Sequence, residues 1–329
     1  MSMPLDPDAK NLLDLLVAAG RPKVWQVSPP EAREGISALA QAADAKDVPI
    51  GRIDNGAMPG PAGTLPYRSY TPKDAASDPL PALVYFHGGG FVIGDLDTHD
   101  GLCRLFANAS GCRVISVAYR LAPEHKFPAA IDDAYAAASW VAEHARELGI
   151  DAERIAIGGD SAGATLSAVV CQLAKGAGGP KLALQLLLYP ATESGVDTPS
   201  RVALAEGYLL EKKSIEWFFR QYVELGTDPI DPRLSPLLAP DVSGLPPAHI
   251  HTAEFDPLVD EGKAYADKLA AAGVPVEYTC HPGMIHHFFC LAGAIPYART
   301  AIANAGAAIK QALALARPAG AGAQRRASM

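Results

Sequence analysis

Arg154-Ile-Ala-Ile-Gly-Gly-Asp-Ser-Ala-Gly-Ala-Thr-Leu-Ser-Ala-Val-Val-Cys171 is the stretch that decides the fold. It opens as a short apolar β-type run and closes as a helical pattern. Between them stands Gly159-Asp160-Ser161-Ala162-Gly163. G-x-S-x-G on a strand-to-helix turn lifts its serine above the carboxyl end of a sheet, as a nucleophile elbow does. The glycines have a steric reason: side chains at 159 and 163 would collide with neighbouring elements. The new helix also aims its first N–H groups and its dipole at the site. Two other glycine-rich readings each fail on one residue. A P-loop, G-x-x-x-x-G-K-S/T, needs lysine where Ala164 stands, and G-x-G-x-x-G needs glycine where Asp160 stands.

Working outward, apolar runs alternate with helical patterns. Strands are expected at 82–86, 113–118, 154–157, 182–188, 248–252 and 274–279, and helices near 129–147, 162–175, 258–272 and 293–315. Near-continuous apolar strands separated by helices imply a mostly parallel sheet covered on both faces. Residues 7–45 have helical spacing, with a start at Ser28-Pro-Pro-Glu31. Residues 55–64 read as turn chemistry. Residues 191–245 form a long insertion, with an amphipathic helix from Ile215 to Tyr222 and a proline-rich run after it. Such insertions are commonly functional. The Ala-Gly and Arg-rich tail, 317–329, reads as disordered.

A second motif, His87-Gly-Gly-Gly-Phe91, follows the strand at 82–86. Acyl transfer builds negative charge on a carbonyl oxygen, and preorganised N–H donors stabilise it. Bare glycine backbone can approach that oxygen, so Gly88 and Gly89 are assigned as donors together with the N–H of Ala162. His87 is read as shaping the loop. A serine needs a base within hydrogen-bond reach and an acid to orient that base, in the chain order Ser…Asp/Glu…His. Asp256, at a strand end and before a helix, fits the acid and equally a helix cap; Glu254 is its rival. His281, His286 and His287 follow the last strand, and all three remain open as the base.

Several motifs together resemble the hormone-sensitive-lipase family of α/β-hydrolases, the bacterial family IV carboxylesterases. They are His87-Gly-Gly-Gly-Phe, Tyr119-Arg-Leu-Ala-Pro-Glu124, Phe127-Pro-Ala-Ala, Gly159-Asp-Ser-Ala-Gly, Asp256-Pro-Leu and Gly283-Met-Ile-His286 followed by Phe288. The resemblance runs in order from about residue 80 to 290. It implies an α/β-hydrolase fold with Ser161 as nucleophile, Asp256 as acid and His286 as base. It also implies a helical cap from residues 1–45 and about 195–225 over a catalytic domain of 46–316. Cap residues Tyr208, Leu209, Trp217 and Phe218 are then candidates to line the pocket. The chain departs from the family pattern at His287 and Ala164, where glycine is usual. Tyr119–Glu124 reads as scaffolding.

The expected reaction is hydrolysis of small apolar esters with short to medium acyl chains, without a cofactor or metal. Amidase, lactonase or acyltransferase chemistry would use the same three side chains, and a non-catalytic binding protein could share the fold. A zinc site from His249, His251 and Glu254 lacks any supporting H-E-x-x-H or cysteine cluster.

Composition narrows the remainder. The 329 residues are 49% apolar, enough for a sizeable core. Lys+Arg minus Asp+Glu is 28 − 36 = −8 with no basic run, which argues against nucleic acid. No stretch is long and apolar enough for a membrane span, and no secretory signal is visible. Five scattered cysteines without C-x-x-C suit a reducing cytoplasm. The last strand reads as a sheet edge through which a homodimer could pair.

Overall fold

The computed structural model describes residues 4–75 and 79–315. The expected tail at 317–329 lies outside them. In chain order the elements are α1 (Pro7–Ala18), α2 (Pro29–Ala43), β1 (Arg52–Gly60), β2 (Gly63–Thr71), β3 (Leu80–Phe86), α3 (Asp100–Ser110), β4 (Arg113–Val117), α4 (Ala129–Glu143), β5 (Ile150–Asp160) and α5 (Ala162–Ala177). They continue with β6 (Leu184–Leu188), α6 (Pro199–Ala203), α7 (Lys212–Tyr222), β7 (Ala248–Phe255), α8 (Val259–Ala271), β8 (Val276–Ile285) and α9 (Tyr297–Leu315).

The strands of the described residues form one sheet in the order β1-β2-β4-β3-β5-β6-β7-β8. From β4 to β8 every pairing is parallel, while β1 and β2 are joined antiparallel to one another and to β4. Side chains alternate across a strand. Ala82, Val84 and Phe86 therefore enter one core cluster, and Leu83 and Tyr85 enter the other. In β6, Leu187 faces one way and Leu184, Leu186 and Leu188 the other. Burial on both faces is why these strands read as continuous apolar runs.

Local signals place the first helices. Asp6 accepts the N–H groups of Asp8 and Ala9 at the start of α1, and Ser28 and Glu31 cap α2 reciprocally. Strands β1 and β2 and helix α3 lie outside the elements expected from the sequence. The turn expected at 55–64 is mostly strand: β1 pairs with β2 from Arg52 opposite Thr71 to Gly60 opposite Gly63. An edge strand tolerates Pro59 and Gly56, and its pairing partner outweighs weak intrinsic propensity. Helix α3 was also unassigned; it buries Leu102, Cys103 and Phe106 and ends on left-handed Gly111.

Candidate active site

The last residues of β3, β5, β7 and β8 are Phe86, Asp160, Phe255 and Ile285. Within four residues of these lie the glycine loop, Ser161, Asp256 and His286. Ser161 sits at φ +51°, ψ −118°, a strained turn that is held by its N–H donating to the Leu188 carbonyl at 2.8 Å. A Cβ at Gly163 would lie 1.9 Å from the Phe86 carbonyl oxygen, so the elbow closes against β3 only with glycine there.

His286 bridges the loops. Its Nε2 is 3.1 Å from Ser161 Oγ, and its Nδ1 is 2.7 Å from Asp256 Oδ2. Asp256 is fully buried, and its other oxygen accepts the Leu258 N–H at 2.9 Å. Asp256 is not the N-cap of α8, which is Leu258; it holds the turn just before the helix. The Tyr189 ring packs 4.7 Å from the imidazole of His286. The competing histidines go elsewhere. His281 Nε2 meets His251 Nδ1 at 3.1 Å, and His287 turns toward Asp160, with 3.7 Å between Nδ1 and Oδ2. Glu254 accepts the Gly283 N–H at 2.9 Å, tying two loops together. His249 faces Glu277 at 3.4 Å, so His249, His251 and Glu254 are not brought together.

One assignment is overturned. The Gly88 N–H donates to Asp160 Oδ1 at 2.9 Å, so it is not a donor to substrate. Among the described residues, the N–H groups of Gly89, Gly90 and Ala162 carry no such bond, and all three residues line the cavity that holds Ser161. The available glycine donors are shifted by one residue, to Gly89 and Gly90.

Asp160, the variable position of the motif, ties the glycine loop to the elbow. It is fully buried, and besides Gly88 it accepts the Tyr85 hydroxyl at 2.8 Å. Burial opposes its charge, but His99 and His287 beside it hold its pKa well below the usual carboxylate range. His99 is raised in turn: burial disfavours its imidazolium, and the Asp160, Asp44 and Asp95 charges outweigh burial. His87 stacks on Tyr119 at 4.4 Å, and the Tyr119 hydroxyl donates to the His87 carbonyl at 2.8 Å. Burial and the neighbouring His99 push the His87 pKa down to about 4, which suits a neutral loop-shaping residue.

The cavity measures about 480 Å³. Val24, Ile36 and Leu39 line it from the N-terminal segment, and Leu210, Ile215 and Phe219 from the insertion. Of the four pocket candidates, Leu209 and Phe218 reach it. Tyr208 lies against Phe255, with centroids 5.2 Å apart, and Trp217 is buried beside Phe218. A helical stripe does not reveal which of its aromatics turns inward. Arg33 of α2 grips the loop below: it donates to the Val92 and Ala122 carbonyls, each at 2.9 Å, and pairs with Glu124. Tyr119 and Glu124 are therefore structural ties.

Residues 83–290 match the family model described as alpha/beta hydrolase fold. The chain is 40% identical over 320 residues to the ethyl acetate hydrolase of Pseudomonas putida, covering 94% of this chain and 99% of that protein. It is an α/β-hydrolase of the hormone-sensitive-lipase family. The carboxylic ester hydrolase LipN of Mycobacterium tuberculosis is 52% identical over 240 residues; the match covers 71% of this chain and spans 63% of LipN. Among solved structures, the ester-hydrolase EH1AB1 from the metagenome of Lake Arreo superposes with a TM-score of 0.91 at 47% identity, covering 93% of this hydrolase and 98% of that chain. That structure carries a derivative of bipyridine phosphonate. Among the described residues, no helix of the hydrolase is long and apolar enough to cross a membrane.

Proposed function

We propose that this hydrolase cleaves small, apolar carboxylic esters with short to medium acyl chains, through an acyl-enzyme on Ser161. The observation that carries the reading is the unbroken contact from Asp256 through His286 to Ser161, opening on an apolar cavity beside three free N–H groups. His286 Nε2 takes the Ser161 proton as Oγ attacks the carbonyl carbon. The oxygen, now negative, receives the N–H groups of Gly89, Gly90 and Ala162. His286 then gives the proton to the leaving alkoxide, and the alcohol departs. Water, deprotonated by the same imidazole, attacks the acyl-serine and releases the acid. Asp256 Oδ2 accepts the Nδ1–H, fixing the tautomer and stabilising the imidazolium. No cofactor enters these steps.

We read residues 1–45 and about 195–225 as the cap over a catalytic domain of 46–316. The apolar side chains that both segments send into the cavity support this division. The cytoplasm is the compartment we propose, because the five cysteines are free thiols. A homodimer through β8 is supported by its place at the end of the sheet order. Light scattering behind size exclusion should give a two-chain mass, and a monomer at micromolar concentration would rule the pairing out.

The decisive experiment uses p-nitrophenyl esters and rapid-quench intact mass. The native protein should carry one acyl group on Ser161 with a slowly deacylated ester. Ser161→Ala should lose turnover about 10⁴–10⁶-fold while keeping its fold. Full-rate hydrolysis by Ser161→Ala would refute the assignment. A panel of matched amides, lactones and acyl acceptors should favour simple esters with water as acceptor.

A further inference from the structure

Behind the serine lies a group of reactive side chains that ester cleavage leaves unused. The Asp160 carboxylate is fully buried. Oδ1 accepts the Tyr85 hydroxyl and the Gly88 N–H at 2.8 and 2.9 Å. His99 Nε2 sits between the two oxygens, 3.2 Å from Oδ1 and 3.4 Å from Oδ2, while His287 Nδ1 at 3.7 Å and Cys290 Sγ at 3.8 Å face Oδ2. One ligating atom from each of the four residues can be chosen so that all lie within 4.8 Å of one another.

We propose that His99, Asp160, His287 and Cys290 form a binding site for one zinc-type divalent cation, reached from the ester cavity. Spacing is the first support. Zinc bonds of about 2.0–2.3 Å place neighbouring ligand atoms of a tetrahedron about 3.3–3.7 Å apart. The three separations around Oδ2, 3.4, 3.7 and 3.8 Å, are close to such edges. The widest pair needs to close by roughly one ångström, which rotation of these side chains supplies.

Ligand chemistry is the second support. Two imidazoles, a thiolate and a carboxylate are the nitrogen, sulfur and oxygen set that zinc prefers, whereas magnesium and calcium seek oxygen alone. Charge is the third. One carboxylate and one thiolate neutralise a dication, so the filled site buries no net charge. Binding releases the Cys290 thiol proton to solvent, and one further proton where His99 is an imidazolium. A neutral His99 or His287 whose ligating nitrogen carries the proton moves it to the other ring nitrogen, so both imidazoles bind neutral.

The surroundings hold the ligands in place. Thr98 Oγ1 lies 2.9 Å from His99 Nδ1 and leaves Nε2 toward Asp160. The Tyr189 hydroxyl lies 3.9 Å from Cys290 Sγ. His99 and His287 both line the cavity, which provides the entry path.

The test uses the whole chain, stripped with a chelator and titrated with Co²⁺ and then Zn²⁺. Co²⁺ should give tetrahedral visible bands and a thiolate-to-metal charge-transfer band, saturating at one equivalent. Zn²⁺ should displace it and raise the thermal midpoint. Cys290→Ser should abolish the charge-transfer band, while Cys280→Ser, at the exposed thiol, should keep it. His287→Gly should weaken Zn²⁺ at least tenfold; position 287 has φ +69°, where glycine is at ease, so the backbone can persist. A native protein with no thiolate band, or Zn²⁺ affinity unchanged in Cys290→Ser and His287→Gly, overturns the proposal. The native cobalt spectrum decides by itself if a variant does not fold, and none of these readouts depends on ester turnover.

Discussion

The floor and the roof of the cavity are built differently. Every group near the serine hydroxyl follows a strand of the parallel ladder: the glycine loop after β3, Ser161 after β5, Asp256 after β7 and His286 after β8. The roof comes from the N-terminal segment and the long insertion, which side-chain contacts tie to the rest: Arg33 to Glu124 and two carbonyls, and buried Arg201 to Glu261. Lys23 reaches Glu211 at 2.8 Å, with Trp25 Nε1 3.4 Å from the same carboxylate. Burial opposes the Glu211 charge, yet Lys23 and Trp25 hold its pKa below the ordinary value. The contrast separates two tasks. Side chains built on the ends of hydrogen-bonded strands can be held to a fraction of an ångström. Apolar side chains on segments outside the ladder set the size and shape of what enters.

The largest effect should come from the floor. His286→Ala should lower kcat/KM about 10⁴–10⁶-fold, while His281→Ala and His287→Ala each stay within about tenfold of the native rate. Equal losses from all three would erase the distinction that their contacts draw. Gly90→Ala strikes where floor meets roof. Its Cβ would lie 2.3 Å from the Phe218 ring, at a residue with φ +59°, so loop and roof must both shift. Steady-state kinetics should show kcat reduced about 10²–10³-fold, the cost of one misplaced oxyanion donor.

Acid should act on the floor next. His87, His251 and His281 are kept neutral by burial, with pKa values pushed down to about 4, about 3 and about 4. An unfolded chain takes up these protons near pH 6.5, but the folded one does so only near or below pH 4. Acidification through this window therefore favours unfolding, on the order of 1–2 kcal/mol for each histidine by pH 5. Urea midpoints measured between pH 7 and 5 should fall; a flat profile would contradict the neutral buried state.

Roof changes should be milder and should alter selectivity. Phe218→Ala enlarges the cavity, so longer acyl chains should gain on short ones by roughly tenfold in relative kcat/KM. An unchanged chain-length profile would remove Phe218 from the specificity surface. Smallest of all is Lys23→Ala. Its ammonium is half exposed, so the lost ion pair should cost less than about 1 kcal/mol in thermal unfolding.

The floor was far more legible in the sequence than the roof. The elbow, the glycine loop and the acid all sit beside apolar strands, where short-range pattern and steric need coincide. His281, His286 and His287 are indistinguishable by residue spacing alone, and only family resemblance separates them; the structure places His281 within β8 and the other two just after it. The hairpin β1–β2 was misread because Asn55, Gly56, Pro59 and Gly60 have turn propensity, while pairing with β2 decides their conformation. In the roof, Leu209 and Phe218 face the cavity and Tyr208 and Trp217 do not, a matter of how α7 and its approach are rotated.

What the sequence by itself determined is the local frame: a glycine-flanked serine between strand and helix, a glycine loop after another strand, and a chain order that brings acid and base behind them. These follow from sterics and hydrogen bonding among near neighbours. Only the tertiary structure decided which N–H groups stay free. Gly88 donates to Asp160, 72 residues away, which leaves the N–H groups of Gly89 and Gly90 as the proposed donors. Whether a backbone donor is free depends on what packs against it, and no spacing along the chain records that distance.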